Sequence, residues 1–290
     1  MAIELFLDHR SRLVFRIDER IRGASGNFYE ITERIACGGN GVVHQCVDLV
    51  SGDELAIKFQ LSNDSKRRTR FDREIELLKQ IKHDQLISYI DDGEIAASIH
   101  DSGRNKGTGL IPYVVMPLAE SNLFNVLRRD SMRPRYEEYI GQFKGLAKAL
   151  SVLHERAIHR DIKPENILVK GETWILSDFG LCKFNESGGE LTDEDEPVGP
   201  RLWMAPEGIN RILGNADTIS KQSDVYQLCS IFWFIVTGRH PSGCLCRDDW
   251  TGPENLFQLL FDALSHNAAK RPMDGARLVE MLEEATLPPA

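Results

Sequence analysis

Three polar residues stand at fixed spacing in the segment HRDIKPENIL, residues 159–168. The carboxylate of Asp161 is followed two residues later by the amine of Lys163 and five residues later by the amide of Asn166. One loop therefore offers a proton acceptor, a cation and a metal-binding oxygen. This combination is typical of phosphoryl transfer, in which positioned charges and dipoles do most of the catalysis.

Two further segments carry groups that suit a phosphate or a metal ion. Asp178 in SDFG directly follows an apolar strand, which places a carboxylate at a strand end where a metal could be held. Upstream, IACGGNGVV at 35–43 predicts a glycine-rich turn whose backbone N–H groups can approach phosphate oxygens. By itself this turn is also compatible with an ordinary hairpin. Lys58 lies in an apolar strand, where a single lysine usually extends to water.

The order of these motifs resembles the signature set of the protein kinases. Residues 28–286 are similar to a eukaryotic-type (Hanks-type) protein kinase domain. The resemblance implies an α+β bilobal fold, with a small β-rich N-lobe that has one main helix and a larger, mostly helical C-lobe. The matching motifs are the glycine-rich turn, Lys58, Glu74, His-Arg-Asp at 159–161, Asp-Phe-Gly at 178–180 and Ala-Pro-Glu at 205–207.

The resemblance implies catalytic roles for four residues. Lys58 would contact the α- and β-phosphates of ATP and pair with Glu74. Asp161 would accept the hydroxyl proton of a protein substrate, and Lys163 would neutralise the γ-phosphate during transfer. Each role needs only one well-placed charge.

The resemblance also implies the metal and nucleotide contacts. Asn166 and Asp178 would hold Mg²⁺, with Mn²⁺ as an alternative ion. Met116 would be the gatekeeper, and the hinge contacts would be the carbonyl of Pro117, where most kinases have an acidic residue, and the N–H of Ala119. The remaining nucleotide-binding residues would be Ile35, Gly38, Gly39, Gly41, Val43, Ala56, Lys58, Asn122 and Leu168.

Two departures from the family pattern bear on affinity and specificity. Ala36 replaces the first glycine of the phosphate loop and has less access to positive φ. Pro200 stands where serine/threonine kinases have threonine, and PRLWMAPE resembles the tyrosine-kinase form, whereas Lys163 belongs to the serine/threonine form. We give Lys163 more weight, because the resemblance places it at the transferring phosphate, and we expect phosphorylation of serine and threonine. The alternatives are a dual-specificity or tyrosine kinase and a nucleotide-binding pseudokinase scaffold.

The acidic run DEDE at 193–196 has two interpretations. Glu196 stands where many such kinases carry an activating phosphate, which Arg160 would bind, so the run could replace phosphorylation. Alternatively, the run is a solvent-exposed acidic loop. Both interpretations stay open at the level of the sequence.

The elements that must position these residues follow from hydrophobic patterns. Phe71, Ile75, Leu78 and Ile81 recur at helical spacing, and residues 225–236 predict a helix that is buried on all sides and too short to span a bilayer. The resemblance implies that Asp224 caps the catalytic loop and that Arg271 pairs with Glu207. Residues 96–109 predict a mobile loop. Strands are predicted at 28–36, 41–49, 54–60 and 111–116.

The predicted domain organisation is an N-terminal extension at 1–27, an N-lobe at 28–118 and a C-lobe at 119–290. The extension is compatible with a strand pair or a helix, because its short apolar clusters show no clear period.

Composition limits the partners. The formal net charge of -9 argues against a general nucleic-acid or anionic-membrane surface, so we expect neither partner. Six cysteines without a CxxC pair, and an acidic start without the features of a signal peptide, predict a cytoplasmic protein with reduced thiols. The identity of the protein substrate and the oligomeric state are left open.

Overall fold

A computed structural model describes residues 2–6, 12–38, 41–62, 64–129, 134–185 and 202–287. Gly39, Pro200 and the acidic run at 193–196, which the sequence singled out, lie outside the described residues. The chain divides into two compact units, Met1–Gln80 with Ile87–Ala119 and Ile81–Leu86 with Glu120–Ala290. The first unit is β-rich and the second is mostly helical, which confirms the predicted α+β class.

One antiparallel sheet dominates the first unit. Its order is β1-β2-β7-β8-β6-β5-β4-β3. Because side chains alternate along a strand, Ile57 and Phe59 face an apolar core while Lys58 faces the other side. The strands are β1 (Ala2–Leu5), β2 (Leu13–Asp18), β3 (Arg20–Arg22), β4 (Phe28–Gly38), β5 (Gly41–Asp48), β6 (Glu54–Phe59), β7 (Asp91–Asp101) and β8 (Arg104–Pro117).

The N-terminal residues close this sheet on itself. A single residue, Glu19, separates β2 from β3, yet β2 pairs with β7 and β3 pairs with β4. In the order β7-β8-β6-β5-β4, the strands β7 and β4 lie at the two opposite edges. Because the short segment β2–β3 pairs with both of these edges, the sheet must curl around its core. Residues 2–5, 13–18 and 20–22 therefore form strands, and Phe15, Ile17 and Ile21 complete the core.

The prediction of a loop at 96–109 is wrong. The strands β7 and β8 continue through this segment and form a hairpin. Ser102 and Gly103 make its two-residue turn with φ of 50° and 79°, the backbone sign that suits the twist of paired strands. Ala97 packs into the core, and β2 pairs with the outer edge of β7 at residues 98–101, so this strand of the hairpin is paired on both edges there.

The interior of the closed sheet contains a histidine. His44 on β5 is buried, and its ring meets that of Phe59 edge-on at 6.3 Å between centroids. Among the described residues, neither ring nitrogen of His44 has a hydrogen-bond partner at normal geometry, and a backbone contact with Thr32 offsets the effect of burial only in part. Burial lowers the pKa of His44 below its usual value of 6.5, because the charged imidazolium is poorly solvated there.

We expect His44 to make the fold sensitive to acid. Since its pKa is lower in the folded state, the unfolded chain binds the proton first, and stability falls as the pH drops below about 6.5. His44→Leu should reduce the loss of unfolding free energy between pH 7 and pH 5 in urea titrations. The matched control is His266→Leu at an exposed position. Equal pH dependence in the wild type and His44→Leu would contradict the expectation.

Helices form most of the second unit. α5 is buried along nearly its whole length, which confirms the predicted buried helix, and the ring of Phe232 stacks on that of Phe143 of α3 at 3.9 Å. Among the described residues no helix is both long and apolar enough to cross a membrane. The helices are α1 (Ser65–Gln80) of the first unit, then α2 (Leu123–Arg129), α3 (Tyr136–His154), α4 (Pro206–Ile212), α5 (Lys221–Thr237), α6 (Glu254–Ala263) and α7 (Gly275–Thr286).

Five short strands complete the second unit. They form two small sheets, in the orders β12-β11-β9 and β10-β13. These strands flank the segments that carry Asp161 and Asp178, so they fix where both segments begin and end. The strands are β9 (Ser121–Asn122), β10 (Ala157–Ile158), β11 (Ile167–Lys170), β12 (Thr173–Leu176) and β13 (Lys183–Phe184).

Candidate active site

In the first unit, Lys58 and Glu74 form a buried ion pair. The Nζ of Lys58 on β6 lies 2.7 Å from Oε1 of Glu74 on α1, and the two side chains are 9% and 3% exposed. Burying a charge is costly unless a partner and hydrogen bonds compensate it. The pair therefore depends on α1 being held against the outer side of the sheet, where the ring of Phe71 also lies 5.9 Å from Nζ.

The hairpin of β4 and β5 carries the glycine-rich segment. Ala36 pairs with Val43, and Gly38 pairs with Gly41, so the strands approach each other up to the turn. Gly41 has a φ of 145°, and a Cβ atom there would lie 2.2 Å from the carbonyl oxygen of Phe59. Both observations require glycine at this position. Val43 is half-buried, Ala56 is buried and Ile35 is 47% exposed.

The end of β8 carries the predicted gatekeeper and hinge residues of the first unit. Met116 pairs with Ala56 and Pro117 pairs with Leu55, while Ala119 is the last residue of the unit. Pro117 has no backbone N–H, so its main chain can take part in hydrogen bonds only through its carbonyl oxygen.

In the second unit, Asn122 and Leu168 are direct partners in the sheet of β9 and β11. The Oδ1 atom of Asn122 accepts a hydrogen bond of 2.9 Å from the N–H of Asn125. Asn122 thus satisfies a backbone donor in the first turn of α2, so one of its side-chain oxygen lone pairs is already engaged.

Lys163 and Asn166 of HRDIKPENIL meet at the carboxylate of Asp161. The Nζ of Lys163 lies 2.8 Å from Oδ2 of Asp161, and the Nδ2 of Asn166 donates to the same oxygen at 2.9 Å and to the Asp161 carbonyl at 2.9 Å. A short helical turn, Pro164–Asn166, brings the amide back to the aspartate. Asp161 is 5% exposed, so these charge-assisted hydrogen bonds are largely shielded from water.

Helix α5 holds the backbone of this loop. The carboxylate of Asp224 accepts the N–H groups of His159 and Arg160 at 2.7 and 2.8 Å, which confirms the predicted capping role. Gln227, one turn later, accepts the N–H of Ile162 at 3.0 Å. Arg160 has a φ of 72°, a strained value that these bonds help to maintain. Gln227 is not among the residues predicted from the sequence, although it is a polar residue on the Asp224 face of an apolar helix.

Ser177, the residue directly before Asp178, links the segments that carry Asn166 and Asp178. The N–H and the hydroxyl of Ser177 both donate to the carbonyl of Asn166 at 2.9 Å. Asp178 follows with a φ of 63°, a left-handed conformation that is common at functional sites. The ring of His159 packs edge-on against Phe179 at 5.4 Å and fixes the other side of this segment.

The chemistry of these two side chains fits a magnesium ion. Asn166 uses its Nδ2 group on Asp161, so its amide oxygen is the atom suited to a cation. Asp178 provides a carboxylate, and hard oxygen ligands are those that Mg²⁺ prefers. No group of three histidine, cysteine or acidic residues that could hold a metal occurs in the described ranges. A pair of oxygen ligands is still compatible with Mg²⁺, which keeps waters and substrate phosphates as its other ligands.

The Ala-Pro-Glu motif is fixed by the ion pair that the resemblance implied. The guanidinium of Arg271 binds both carboxylate oxygens of Glu207, at 2.8 and 2.9 Å, and Ser223 donates to the same carboxylate at 2.5 Å. The prediction of this pair is confirmed. It anchors the start of α4 to α5 and to the segment before α7.

Comparisons with known proteins agree with this geometry. The model of the protein kinase domain matches residues 29–270. The probable serine/threonine-protein kinase fhkD of Dictyostelium discoideum is 31% identical over 243 residues, 78% of this chain and 30% of the relative. The probable serine/threonine-protein kinase PknB of Bifidobacterium longum is 26% identical over 223 residues, 75% of this chain and 31% of the relative.

A third relative, the serine/threonine-protein kinase PknB of Mycobacterium leprae, is 26% identical over 219 residues, 73% of this chain and 33% of the relative. The chain spans about a third of the length of these curated relatives. The family match, however, covers most of the chain and runs from before the glycine-rich segment to beyond the Ala-Pro-Glu motif. With its β-rich and helical units and the polar cluster around Asp161, the chain belongs to the protein kinase domain family, of the Hanks type.

Proposed function

We propose that the chain is an ATP-dependent protein kinase that transfers the γ-phosphate of Mg-ATP to serine and threonine hydroxyls of a protein. Members of this family in general use ATP and a divalent metal. The observation that carries the proposal is the cluster in which Lys163 and Asn166 both bind Oδ2 of Asp161. This cluster has the base, cation and amide that phosphoryl transfer requires.

In this proposal Asp161 receives the substrate. Its Oδ2 atom already accepts two hydrogen bonds from Lys163 and Asn166, so Oδ1 is the oxygen that would accept the hydrogen of the substrate hydroxyl. The hydroxyl is thereby oriented, and its proton has an acceptor when the oxygen bonds to phosphorus. The ammonium of Lys163, 28% exposed, can also reach a phosphate oxygen and offset its negative charge.

Lys58 and Glu74 would serve the nucleotide. Held at 2.7 Å by Glu74, the ammonium of Lys58 is oriented before ATP binds and would contact the α- and β-phosphates. The backbone of the glycine-rich segment, with Gly38 and Gly41, would approach the phosphates. Mg²⁺, or Mn²⁺ in its place, would neutralise phosphate charge when bound, and Asn166 and Asp178 would be the side chains that hold it.

The choice of acceptor hydroxyl rests on Lys163. A lysine two residues after the catalytic aspartate is the serine/threonine form of the loop, and the three relatives reported above are all named serine/threonine-protein kinases. Pro200 with Trp203 supports tyrosine instead. We give Lys163 more weight, because it would lie at the transferring phosphate. The six free cysteines support the further proposal of a reducing, cytoplasmic setting.

Phosphoamino-acid analysis tests the proposal directly. After incubation with labelled ATP, Mg²⁺ and a mixture of protein substrates, we expect phosphoserine and phosphothreonine to dominate. Dominant phosphotyrosine would show that the Pro200 segment decides specificity. Absence of transfer above that of the Asp161→Asn variant, in protein that is folded by circular dichroism, would favour the pseudokinase alternative.

A further inference from the structure

We propose that the N-terminal segment, residues 13–27, is a positioning element for the catalytic ion pair Lys58–Glu74, acting through β7 and α1. This inference rests on the proposed function. β7 is the element that the segment and the helix share. Its edge pairs with β2, and its consecutive residues Asp91 and Asp92 point to opposite sides of the sheet.

On the inner side, Asp91 binds the loop that follows β3. Its carboxylate is 1% exposed and accepts the hydroxyl of Ser25 at 2.5 Å, the N–H of Ser25 at 3.1 Å and the hydroxyl of Tyr29 at 2.9 Å. The N–H of Ala24 also donates to the carbonyl of Asp92 at 2.8 Å. We call the contacts of Ala24 and Ser25 with β7, together with the hydrogen bond from Tyr29 of β4, the Asp91 latch.

The latch is tight and charged. A Cβ atom at Gly23 would lie 1.9 Å from Oδ2 of Asp91, so only glycine lets the loop pass this closely. Burial raises the pKa of Asp91, but the hydrogen bonds from Ser25 and Tyr29 lower it by more than burial raises it. The pKa of Asp91 therefore lies below its ordinary value. An ionised, buried carboxylate needs these donors, and therefore the start of β7 stays where the N-terminal loop holds it.

On the outer side, β7 holds α1 near both ends. Close to the end of the helix, the Nζ of Lys79 lies 2.6 Å from Oδ1 of Asp92 and 5.0 Å from the centre of the Tyr89 ring. In the first turns, the guanidinium of Arg68 pairs with the carboxylate of Glu94. Glu74, the partner of Lys58, lies on the helix between these two contacts.

The contacts on the two sides of β7 connect the N-terminal loop to helix α1. The outer ion pairs are partly exposed and each is weak, and both require Asp92 and Glu94 of β7 to stay beside α1. The buried apolar side chains of α1 also place the helix, so its alignment depends in part on the position of β7. The Asp91 latch and the pairing with β2 fix β7. Releasing the latch should therefore let α1 move and should weaken the alignment of Lys58 by Glu74 at a distance from either residue.

The test compares two serine substitutions. Ser25→Asp replaces a donor to Asp91 with a second carboxylate, which opens the latch. Ser51→Asp is the matched control, because the Ser51 hydroxyl likewise donates to a carboxylate, that of Asp53 at 2.8 Å, in an exposed turn between β5 and β6. Hydrogen exchange of the amides of residues 65–80 is measured first, since it needs no activity. We expect exchange about three- to tenfold faster in Ser25→Asp than in the control.

Activity then shows whether the effect passes through the ion pair. We expect kcat/KM for ATP to fall about three- to tenfold in Ser25→Asp and to be unchanged in Ser51→Asp. In a Glu74→Gln background, Ser25→Asp should cause no further loss, because the interaction that it disturbs is already absent. Additive losses in this cycle, or equal exchange of residues 65–80 in the two serine variants, would overturn the proposal.

Two further outcomes are distinguishable. If the wild type transfers no phosphate, the proposed function fails, while the exchange comparison still decides whether the latch holds α1. If Ser25→Asp does not fold, Ser25→Ala removes the hydroxyl donor without adding charge, and it should shift the exchange of residues 65–80 in the same direction.

Discussion

Asp161→Asn is expected to reduce phosphoryl transfer by about 10²–10⁴-fold, the range over which a positioned acid or base contributes to catalysis. The substitution keeps the size of the side chain but removes the negative charge. An amide cannot take up the hydroxyl proton, and Lys163 loses the carboxylate that now lies 2.8 Å from its Nζ. Because Lys58 and Glu74 are untouched, ATP affinity measured by calorimetry should change little.

The control for this prediction is Asp248→Asn, which makes the same chemical change at an exposed position of the second unit. Initial rates with labelled ATP, together with melting temperatures, separate catalysis from stability. A rate for Asp161→Asn within a few-fold of that of Asp248→Asn, at equal stability, would show that Asp161 is not the catalytic base.

Much of the polar cluster could be predicted from the sequence because its geometry is local. Asp161, Lys163 and Asn166 lie within six residues, and one short helical turn is enough to bring all three together. The buried helix α5 was also predictable, since a long segment that is apolar on every side must be buried. The pairs Lys58–Glu74 and Glu207–Arg271 join distant parts of the chain, and only the family resemblance could connect them.

The missed features depend on partners that are far away in the sequence. The segment 96–109 contains serine, glycine and charged residues, which favour a loop when it is considered alone. It forms strands because β2, more than 80 residues earlier, pairs with its edge, and because Ala97 faces a core that is built by other strands. Hydrophobic periodicity gives no information on which distant strands pair, so the closed sheet could not be predicted from it. The roles of Pro200 and Glu196 stay predictions.

Arg271→Leu is expected to lower the free energy of unfolding by about 3–5 kcal/mol at pH 7, as when one partner of a buried ion pair is removed. The side chain of Arg271 is fully buried and that of Glu207 is 8% exposed, so the remaining carboxylate would be an uncompensated charge. The variant also loses hydrogen bonds from the guanidinium to the carbonyls of Ser265 and His266. Urea unfolding measures the effect. Arg277→Leu is the control, since Arg277 pairs with Glu280 on the surface and should contribute only about 0–1 kcal/mol.

The pH dependence distinguishes an uncompensated charge from a simple packing defect. Burial raises the pKa of Glu207, but hydrogen bonds from Arg271 and Ser223 outweigh it, and the pKa lies below its usual value of 4.5. The pair therefore stabilises the fold fully above about pH 4.5, and this contribution is lost as the pH falls through the lowered pKa. Without Arg271, burial dominates and Glu207 takes up a proton at higher pH, which relieves the buried charge. The difference in stability between wild type and Arg271→Leu should therefore shrink from pH 7 to pH 4, whereas a difference that is constant with pH would show that lost packing, and not the charge of Glu207, is responsible.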